Sequence, residues 1–393
     1  MINPKCCLLF IILFLFGCQN TTPHFSHITI PSQDLYLDDM FSNTNNVVIE
    51  SEQEVFQLDD DILTLIANKT KRNQTPYQKS QIILAHLFNE ESIAISYDSH
   101  ANLTANQTYR SQSANCMSLT ILAYSLAVAS HLEVTIQSVE VPEFWTRDNN
   151  FSVLTGHVNL KINNRLSGNS FVVWGYKETV IDFDPLIASK KFTAKAIGKK
   201  TLLAMFYNNK GAQALINRDY NLAYQYFKRA TVADPTFTLA WGNLGILHKV
   251  TGHETMAEAA YARAIHNDSS NLTALNNLAR LLTKQGRTDE AIPLEKHVHR
   301  IRHKNPYYHA LLADEAMLKK HYLNAIEHYK KAIKLDKKQH QFYFGLAVAY
   351  FQHRNVLLSY QAMEKALALS STASNNEKYT AKLDLLANYS LKH

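Results

Sequence analysis

The sequence predicts an α+β protein in two parts, an N-terminal domain of helices and strands followed by an all-α solenoid of repeats. Two patterns carry this prediction. Helical periodicity up to residue 130 gives way, between residues 134 and 183, to the apolar–polar alternation of half-buried strands. From residue 204 to residue 373, small and apolar residues recur every 34 positions, a period typical of stacked helical hairpins.

The first 17 residues have the pattern of an export signal. Their apolar run, Cys7 to Phe16, is about half as long as the roughly 20 residues that span a bilayer. Leu15-Phe16-Gly17-Cys18 resembles a bacterial lipobox, which implies cleavage before Cys18 and lipid attachment to its thiol. Gln19 is not the aspartate that retains some lipoproteins in the inner membrane, so we expect a lipid-anchored protein of the bacterial cell envelope, in the outer membrane and facing the periplasm. Residues 18–45 are polar and are predicted to be a tether.

Cys116 is the candidate reactive residue in the helical part of the N-terminal domain. It begins an apolar helix that runs to Ser130, with Ser113 or Asn115 as N-cap. A thiol at a helix start lies at the positive end of the helix dipole, which favours the reactive thiolate. If Cys18 is acylated, Cys116 is the only free thiol of an exported protein, which indicates reactivity; the alternative is an inert core residue. Two amphipathic helices precede it, at residues 55–68 and 78–88.

Alternating residues after this helix predict an antiparallel meander. Pro142 is expected to end the first strand, and His157 lies on the polar face of the second. Asp182 and Asp184 share one face of the last strand. Four segments are predicted as strands: Val134–Val141, Phe151–Ile162, Phe171–Trp174 and Thr179–Phe183.

A cysteine at a helix start, a histidine on one strand and an aspartate on the next have the order of nucleophile, base and orienting acid. Four motifs contain or flank these residues: Leu103-Thr104-Ala105, Asn115-Cys116-Met117-Ser118, Gly156-His157-Val158-Asn159 and Val180-Ile181-Asp182-Phe183-Asp184-Pro185. Their order resembles that of the transglutaminase-like superfamily, which has a papain-type fold. The resemblance covers about residues 46–198.

The resemblance implies catalytic roles for individual residues. Cys116 matches the nucleophile and His157 the base. Either Asp182 or Asp184 matches the acid, with Asp182 favoured because it directly follows an apolar pair. Amine-cross-linking transglutaminases carry Trp after the cysteine, whereas this chain has Met117, so the match implies acyl chemistry on a thiol without specifying cross-linking. We expect no cofactor and no metal.

The C-terminal half is predicted to be five tetratricopeptide repeats. With Pro235 at position 32, the repeat frame runs unbroken from Ala204 to Ala373. Trp241-Gly242-Asn243-Leu244-Gly245 resembles the strongest segment of this repeat pattern. Residues 374–393 are expected to form a C-terminal capping helix. Small residues at position 8 let the paired helices pack closely: Gly211, Gly245, Ala279, Ala313 and Ala347.

Position 6 of three successive repeats is asparagine: Asn209, Asn243 and Asn277. An amide side chain offers both a donor and an acceptor, which matches a peptide unit. We therefore predict that these three residues bind peptide; the alternative is that asparagine is only a common polar choice at this position.

The charge distribution does not indicate a nucleic-acid partner. The formal net charge is +6, but the basic residues are scattered along the chain, which predicts a solvated surface.

Two functions remain open from the sequence. In the first, a lipoprotein cleaves or transfers at an amide bond of a protein or peptide through an acyl-enzyme on Cys116, and the repeats bind the substrate or a partner. It would then be a cysteine peptidase or a transglutaminase-like acyltransferase. In the alternative, the protein is a non-catalytic envelope adaptor that binds proteins through its repeats.

Overall fold

The computed structural model describes residues 35–41, 49–148, 151–164, 178–182, 192–370 and 373–390. The predicted signal, Cys18, the predicted strand at 171–174 and Asp184 lie outside these ranges. Within them, no helix combines the length and the apolar character needed to cross a membrane.

Short capped helices open the N-terminal part. Ser51, Thr75 and Thr104 each form a capping box with the residue three positions later, which satisfies orphan backbone amides at the helix starts. A two-residue strand, β1 (Ser96–Tyr97), pairs in parallel with β2 (Ser113–Ala114). The helices are α1 (Glu52–Phe56), α2 (Asp60–Lys69), α3 (Pro76–Phe88) and α4 (Ala105–Ser111).

The central helix of this part is α5 (Cys116–Ala129), which is buried along most of its length. A helix that is apolar on all sides can be stable only inside a core. Asn115 caps it by accepting a hydrogen bond from the Ser118 amide at 2.9 Å. Of the two predicted caps, Ser113 lies instead in β2, so the strand leads directly into the helix start.

An antiparallel sheet of four strands, in the order β5-β4-β3-β6, packs against α5. Val158, Leu160 and Ile162 of β4 belong to the same core cluster as the buried residues of α5. The strands are β3 (Val134–Asp148), β4 (Phe151–Asn163), β5 (Glu178–Ile181) and β6 (Ala194–Ile197).

The prediction that Pro142 ends the first strand is wrong, because β3 continues to Asp148. The register between β3 and β4 shifts between Val139 and Phe144, and Pro142 lies inside this irregularity. A proline is tolerated there because a bulged strand does not require every ladder hydrogen bond. The irregularity lies beside His157, which is paired with Val139.

Five helix pairs and a final helix follow in the predicted repeat frame. The glycines at position 8 permit close helix contacts: a Cβ atom added to Gly211 would lie 2.7 Å from the Phe227 ring, and one added to Gly245 would lie 2.6 Å from the Tyr261 ring. The pairs are α6 (Lys199–Ile216) with α7 (Tyr220–Ala233), α8 (Thr238–Val250) with α9 (Glu254–Asn267), α10 (Leu272–Lys284) with α11 (Thr288–Arg302), α12 (Pro306–Leu318) with α13 (Tyr322–Leu335), and α14 (His340–Gln352) with α15 (Val356–Leu369). The last helix, α16 (Ala373–Ser390), buries Tyr379, Leu383 and Leu386 in the core of the final pair.

Part of the predicted tether is packed and not free. Within residues 35–41, Leu35 and Phe41 are buried in the core of the first repeats. Asp38 forms an ion pair with Lys228 of α7 at 2.6 Å, and the Phe41 ring stacks on Tyr224 with ring centres 4.4 Å apart. The polar composition of residues 18–45 as a whole conceals this short apolar and aromatic segment.

The β3–β4 hairpin also contacts the repeats. Arg302 at the end of α11 is buried and makes hydrogen bonds of 2.8 and 2.7 Å to the two carboxylate oxygens of Glu143 in β3. Its guanidinium group lies 4.9 Å from the centre of the Trp145 ring. A bidentate, stacked arginine of this kind fixes the orientation of its partner. The sheet and the repeats are therefore joined by a specific contact.

Candidate functional site

The two strands β4 and β5 bring His157 and Asp182 together. Their antiparallel register pairs Leu160 with Ile181, so Asp182, one residue beyond β5, lies across from Asn159 and diagonally from His157. The His157 Nε2 atom is 2.7 Å from Asp182 Oδ2, and the Asp182 side chain is 1% exposed. A buried carboxylate in this position can fix the tautomer and the orientation of the imidazole.

Packing of α5 against β4 brings Cys116 to the same place. Thr120, one turn along α5, donates a hydrogen bond to the Cys116 carbonyl at 2.7 Å and lies 3.4 Å from the Val158 carbonyl of β4. The Cys116 thiol is partly buried and forms no disulfide, and it lies near enough to His157 to raise the pKa of the ring. Because Nε2 faces Asp182, Nδ1 is the ring atom left to exchange a proton with the thiol.

The electrostatics of this group favour a charged histidine. Burial disfavours the imidazolium and by itself lowers the pKa of His157. The hydrogen bond to Asp182, the charge of its carboxylate and the interaction with the Cys116 side chain outweigh burial and raise the pKa of His157 from 6.5 to about 9. At neutral pH the ring therefore holds a proton, which is the state that stabilises a neighbouring thiolate.

A polar network holds the start of α5. Ser118 accepts a hydrogen bond from the Leu103 amide at 2.8 Å and donates one to the Ala101 carbonyl. The Asn115 side chain donates to Asn102 Oδ1 at 2.8 Å. The Leu103-Thr104-Ala105 motif therefore lies against the helix start and helps to position Cys116. Ser118 and Thr120 are supporting residues without an assigned role in the sequence prediction.

The sheet supplies another polar residue beside the acid. Asn159 Nδ2 donates to Asp182 Oδ2 at 3.0 Å, the same oxygen that faces His157. The sequence placed Asn159 in a motif and on the face of His157, but only the register of β5 shows that it meets Asp182. Among the described residues, no cluster of three or more His, Cys, Asp or Glu side chains is arranged to hold a metal ion.

The predicted peptide-binding asparagines lie on first helices of successive repeats. Asn209, Asn243 and Asn277 are half-buried on α6, α8 and α10. Asn243 Nδ2 donates to Asn208 Oδ1 at 2.8 Å, so one amide of this series makes a contact within the protein. Asn208 is buried and was not among the predicted site residues. Cys18 and Asp184, the remaining predicted site residues, lie outside the described ranges.

The repeat region matches known protein families. A family model described as a tetratricopeptide repeat covers residues 252–315, and one described as a TPR repeat covers residues 313–353. Among curated proteins, the chain is similar to anaphase-promoting complex subunit 3 of Schizosaccharomyces pombe, with 27% identity over 155 residues, which make up 39% of this chain and 22% of that protein. The chain thus spans about a fifth of the length of this relative.

Solved structures show similarity over about half of the chain. The chain resembles pilF of Pseudomonas aeruginosa at 19% identity and a TM-score of 0.32, covering 50% of this chain and 92% of that one. It resembles MamA from Desulfovibrio magneticus RS-1 at 18% identity and a TM-score of 0.28, covering 44% and 97%. It also resembles yeast Tom70 at 17% identity and a TM-score of 0.34, covering 52% and 46%. The family models identify residues 252–353, within the stack of helix pairs α6–α15, as tetratricopeptide repeats.

Proposed function

We propose that this protein is an interaction scaffold that binds a protein partner through its tetratricopeptide repeats. The observation that supports this most strongly is the stack of helix pairs α6–α15, whose 34-residue frame agrees with the family models over residues 252–353. Stacked helical repeats form an extended surface on which a peptide or a partner helix can lie.

The first helices of the early repeats are the proposed contact surface. Asn209, Asn243 and Asn277 give this surface amide donors and acceptors that suit a peptide backbone. Because Asn243 Nδ2 is bonded to Asn208, the orientation of this amide is fixed before any partner arrives, and its Oδ1 can accept from a peptide N–H. A preorganised group loses less entropy on binding.

A triple change to alanine tests this surface. Substituting Asn209, Asn243 and Asn277 together should weaken binding of the captured partner roughly a hundredfold, because each amide contributes about 1 kcal/mol as a neutral hydrogen bond. Affinity capture followed by titration of the isolated partner measures the loss. A matched control changes two exposed asparagines elsewhere on the repeats, Asn217 and Asn324, to alanine. Equal affinity in the triple variant and the control, with unchanged melting curves, would exclude this surface.

A second function is supported by a specific observation, the convergence of Cys116, His157 and Asp182. We propose that the N-terminal part is a transglutaminase-like domain that carries out thiol acyl chemistry on an amide. His157 Nδ1 holds the proton at neutral pH, and Sγ attacks the amide carbonyl as the thiolate. The Cys116 and Met117 amides at the start of α5 have no intrahelical acceptor and can stabilise the resulting oxyanion.

Collapse of the tetrahedral intermediate breaks the C–N bond. The imidazolium then gives its proton to the leaving nitrogen, and the acyl group remains on sulfur as a thioester. Water or an amine next attacks the thioester and gives a proton to the neutral His157 ring. The C–S bond breaks and sulfur leaves as the thiolate, which completes hydrolysis or transfer and restores the starting pair. Asp182 keeps the imidazole oriented through both steps.

Alkylation of Cys116 tests this second function without knowledge of the substrate. At pH 6.5, His157→Gln should slow iodoacetamide labelling of the peptide that contains Cys116, roughly tenfold for each 1.4 kcal/mol of lost ion-pair stability. His266→Gln, a change of an exposed histidine on α9, is the matched control. Slow labelling at the same rate in wild type and His157→Gln would contradict the catalytic proposal, and the scaffold function would then be the only one proposed.

A further inference from the structure

We infer that Asn159 is a positioning residue of the thiol site, acting on Cys116 through Asp182 and His157. This inference rests on the second function proposed above. Asn159 is 5% exposed, and its side chain points from β4 at the same carboxylate that orients the imidazole.

The register of the sheet dictates this contact. Leu160 is paired with Ile181, so the next pair across the two strands is Asn159 with Asp182, while His157 reaches the same carboxylate along the diagonal. Asp182 Oδ2 thus receives two groups from one strand, His157 Nε2 at 2.7 Å and Asn159 Nδ2 at 3.0 Å. Two donors on one oxygen restrain rotation of the carboxylate more strongly than His157 does by itself.

The orientation of the Asn159 amide follows from the charge of its partner. If the amide were turned over, its Oδ1 would face the carboxylate and repel it, so Nδ2 must be the atom that faces Asp182. Oδ1 is buried and finds no hydrogen-bond partner among the described residues.

A buried carbonyl without a partner is unfavourable for folding. The contact of Nδ2 with the Asp182 carboxylate gives the amide a charged acceptor, which accounts for a polar side chain at this buried position. Loss of the Nδ2 donor should let the carboxylate rotate and the imidazole tilt, so that Nδ1 no longer faces the thiol.

The test measures iodoacetamide labelling of Cys116 against pH in the full-length protein. Asn159→Leu keeps the volume and removes the donor, and it should slow labelling roughly tenfold at pH 6.5, with rates that converge toward wild type at alkaline pH, where thiolate forms without help. Asp182→Asn should slow labelling at least as much. Asn159→Ser, a smaller change that retains a hydroxyl donor, serves if the leucine variant does not fold, and it should fall between wild type and His157→Gln.

A double variant separates positioning from general packing. If Asn159 acts through His157, adding Asn159→Leu to His157→Gln should cause no further slowing. Equal slowing in both backgrounds would show that Asn159 acts only on the fold and would overturn the inference. Slowing by His157→Gln but not by either Asn159 variant would overturn it while leaving the second function in place. No slowing by His157→Gln would defeat the second function itself.

Discussion

His157 lies between a carboxylate and a thiol, and both partners increase the affinity of its ring for a proton. The Asp182 side chain is almost completely buried, while 11% of the His157 side chain is exposed. Part of the imidazole is therefore near solvent, while Asp182 fixes the orientation of the ring. A residue in that position can move a proton between Cys116 and a ligand without losing its orientation.

The raised pKa of His157 has a consequence for stability against pH. The folded-state value is about 9, and the unfolded value is 6.5. A raised pKa means that the folded state binds the proton more tightly, so its stabilising contribution is complete below pH 6.5 and is lost as the pH rises through about 9. The contribution is on the order of 3 kcal/mol, since a pKa difference of one corresponds to about 1.4 kcal/mol.

Hydrogen exchange of the α5 amides measures this contribution locally. The difference in protection between wild type and His157→Gln should be largest at pH 6.5 and should shrink as the pH approaches 9. Comparing the two proteins at the same pH cancels the intrinsic pH dependence of exchange. A difference that stays constant or grows over this range would contradict the assigned ion pairs.

At the scale of elements, the repeats depend on close approach of paired helices. Gly245 on α8 faces the fully buried Tyr261 ring of α9, and a Cβ atom there would also lie 3.2 Å from the Ala257 carbonyl. Gly242, three residues earlier on the same helix, has no atom within 4 Å of a Cβ placed on it. Substitution of these two glycines therefore distinguishes the cost of overpacking from the gain in helix propensity.

Opposite effects are expected from alanine at these two positions. Gly245→Ala should lower the free energy of unfolding by about 1–3 kcal/mol, because overpacking exceeds the propensity gain. Gly242→Ala should raise it by about 0.5–1 kcal/mol, because only the propensity gain remains. Urea unfolding followed by circular dichroism measures both. The packing account fails if Gly245→Ala is as stable as Gly242→Ala.

Elements with local signals were predictable, and elements that depend on distant contacts were not. The repeat helices follow from residues that recur within one hairpin, such as the small residue at Gly211 and the ring at Phe227. Strand β6 contains Ala-Lys-Ala-Ile, which has weak strand propensity, and it forms only because residues 136–139 of β3 offer an open edge. Likewise, nothing local indicates that Phe41 packs on Tyr224, which is far away in the sequence.

In the candidate site, too, residues with a local signal were predictable and a contact between distant residues was not. Cys116 and His157 could be proposed from the sequence because one begins a helix and the other lies on the polar face of a strand. The contact between Asn159 and Asp182 could not, because it depends on the register between β4 and β5 across a long connection.

In the whole molecule, the N-terminal part and the first repeat share one hydrophobic core. The core cluster of the N-terminal part includes Phe206 of α6 and Tyr226 of α7, so the first repeat packs directly on the sheet and helices. Arg302, at the end of α11, makes hydrogen bonds to Glu143, which lies in the irregularity of β3 beside His157. The repeats, which form the proposed binding surface, therefore contact β3, the strand that pairs with the one carrying His157.

Site-specific photo-crosslinking locates a bound partner on the proposed surface, the first helices of the repeats. The photoreactive residue p-benzoylphenylalanine replaces Asn277 on α10, Lys296 on the neighbouring α11, or Gln53 on α1 of the N-terminal part. We expect the captured partner to be cross-linked from position 277 and not from positions 296 or 53. Cross-links from position 53 or 296 alone, in a protein that still binds the partner, would exclude this surface.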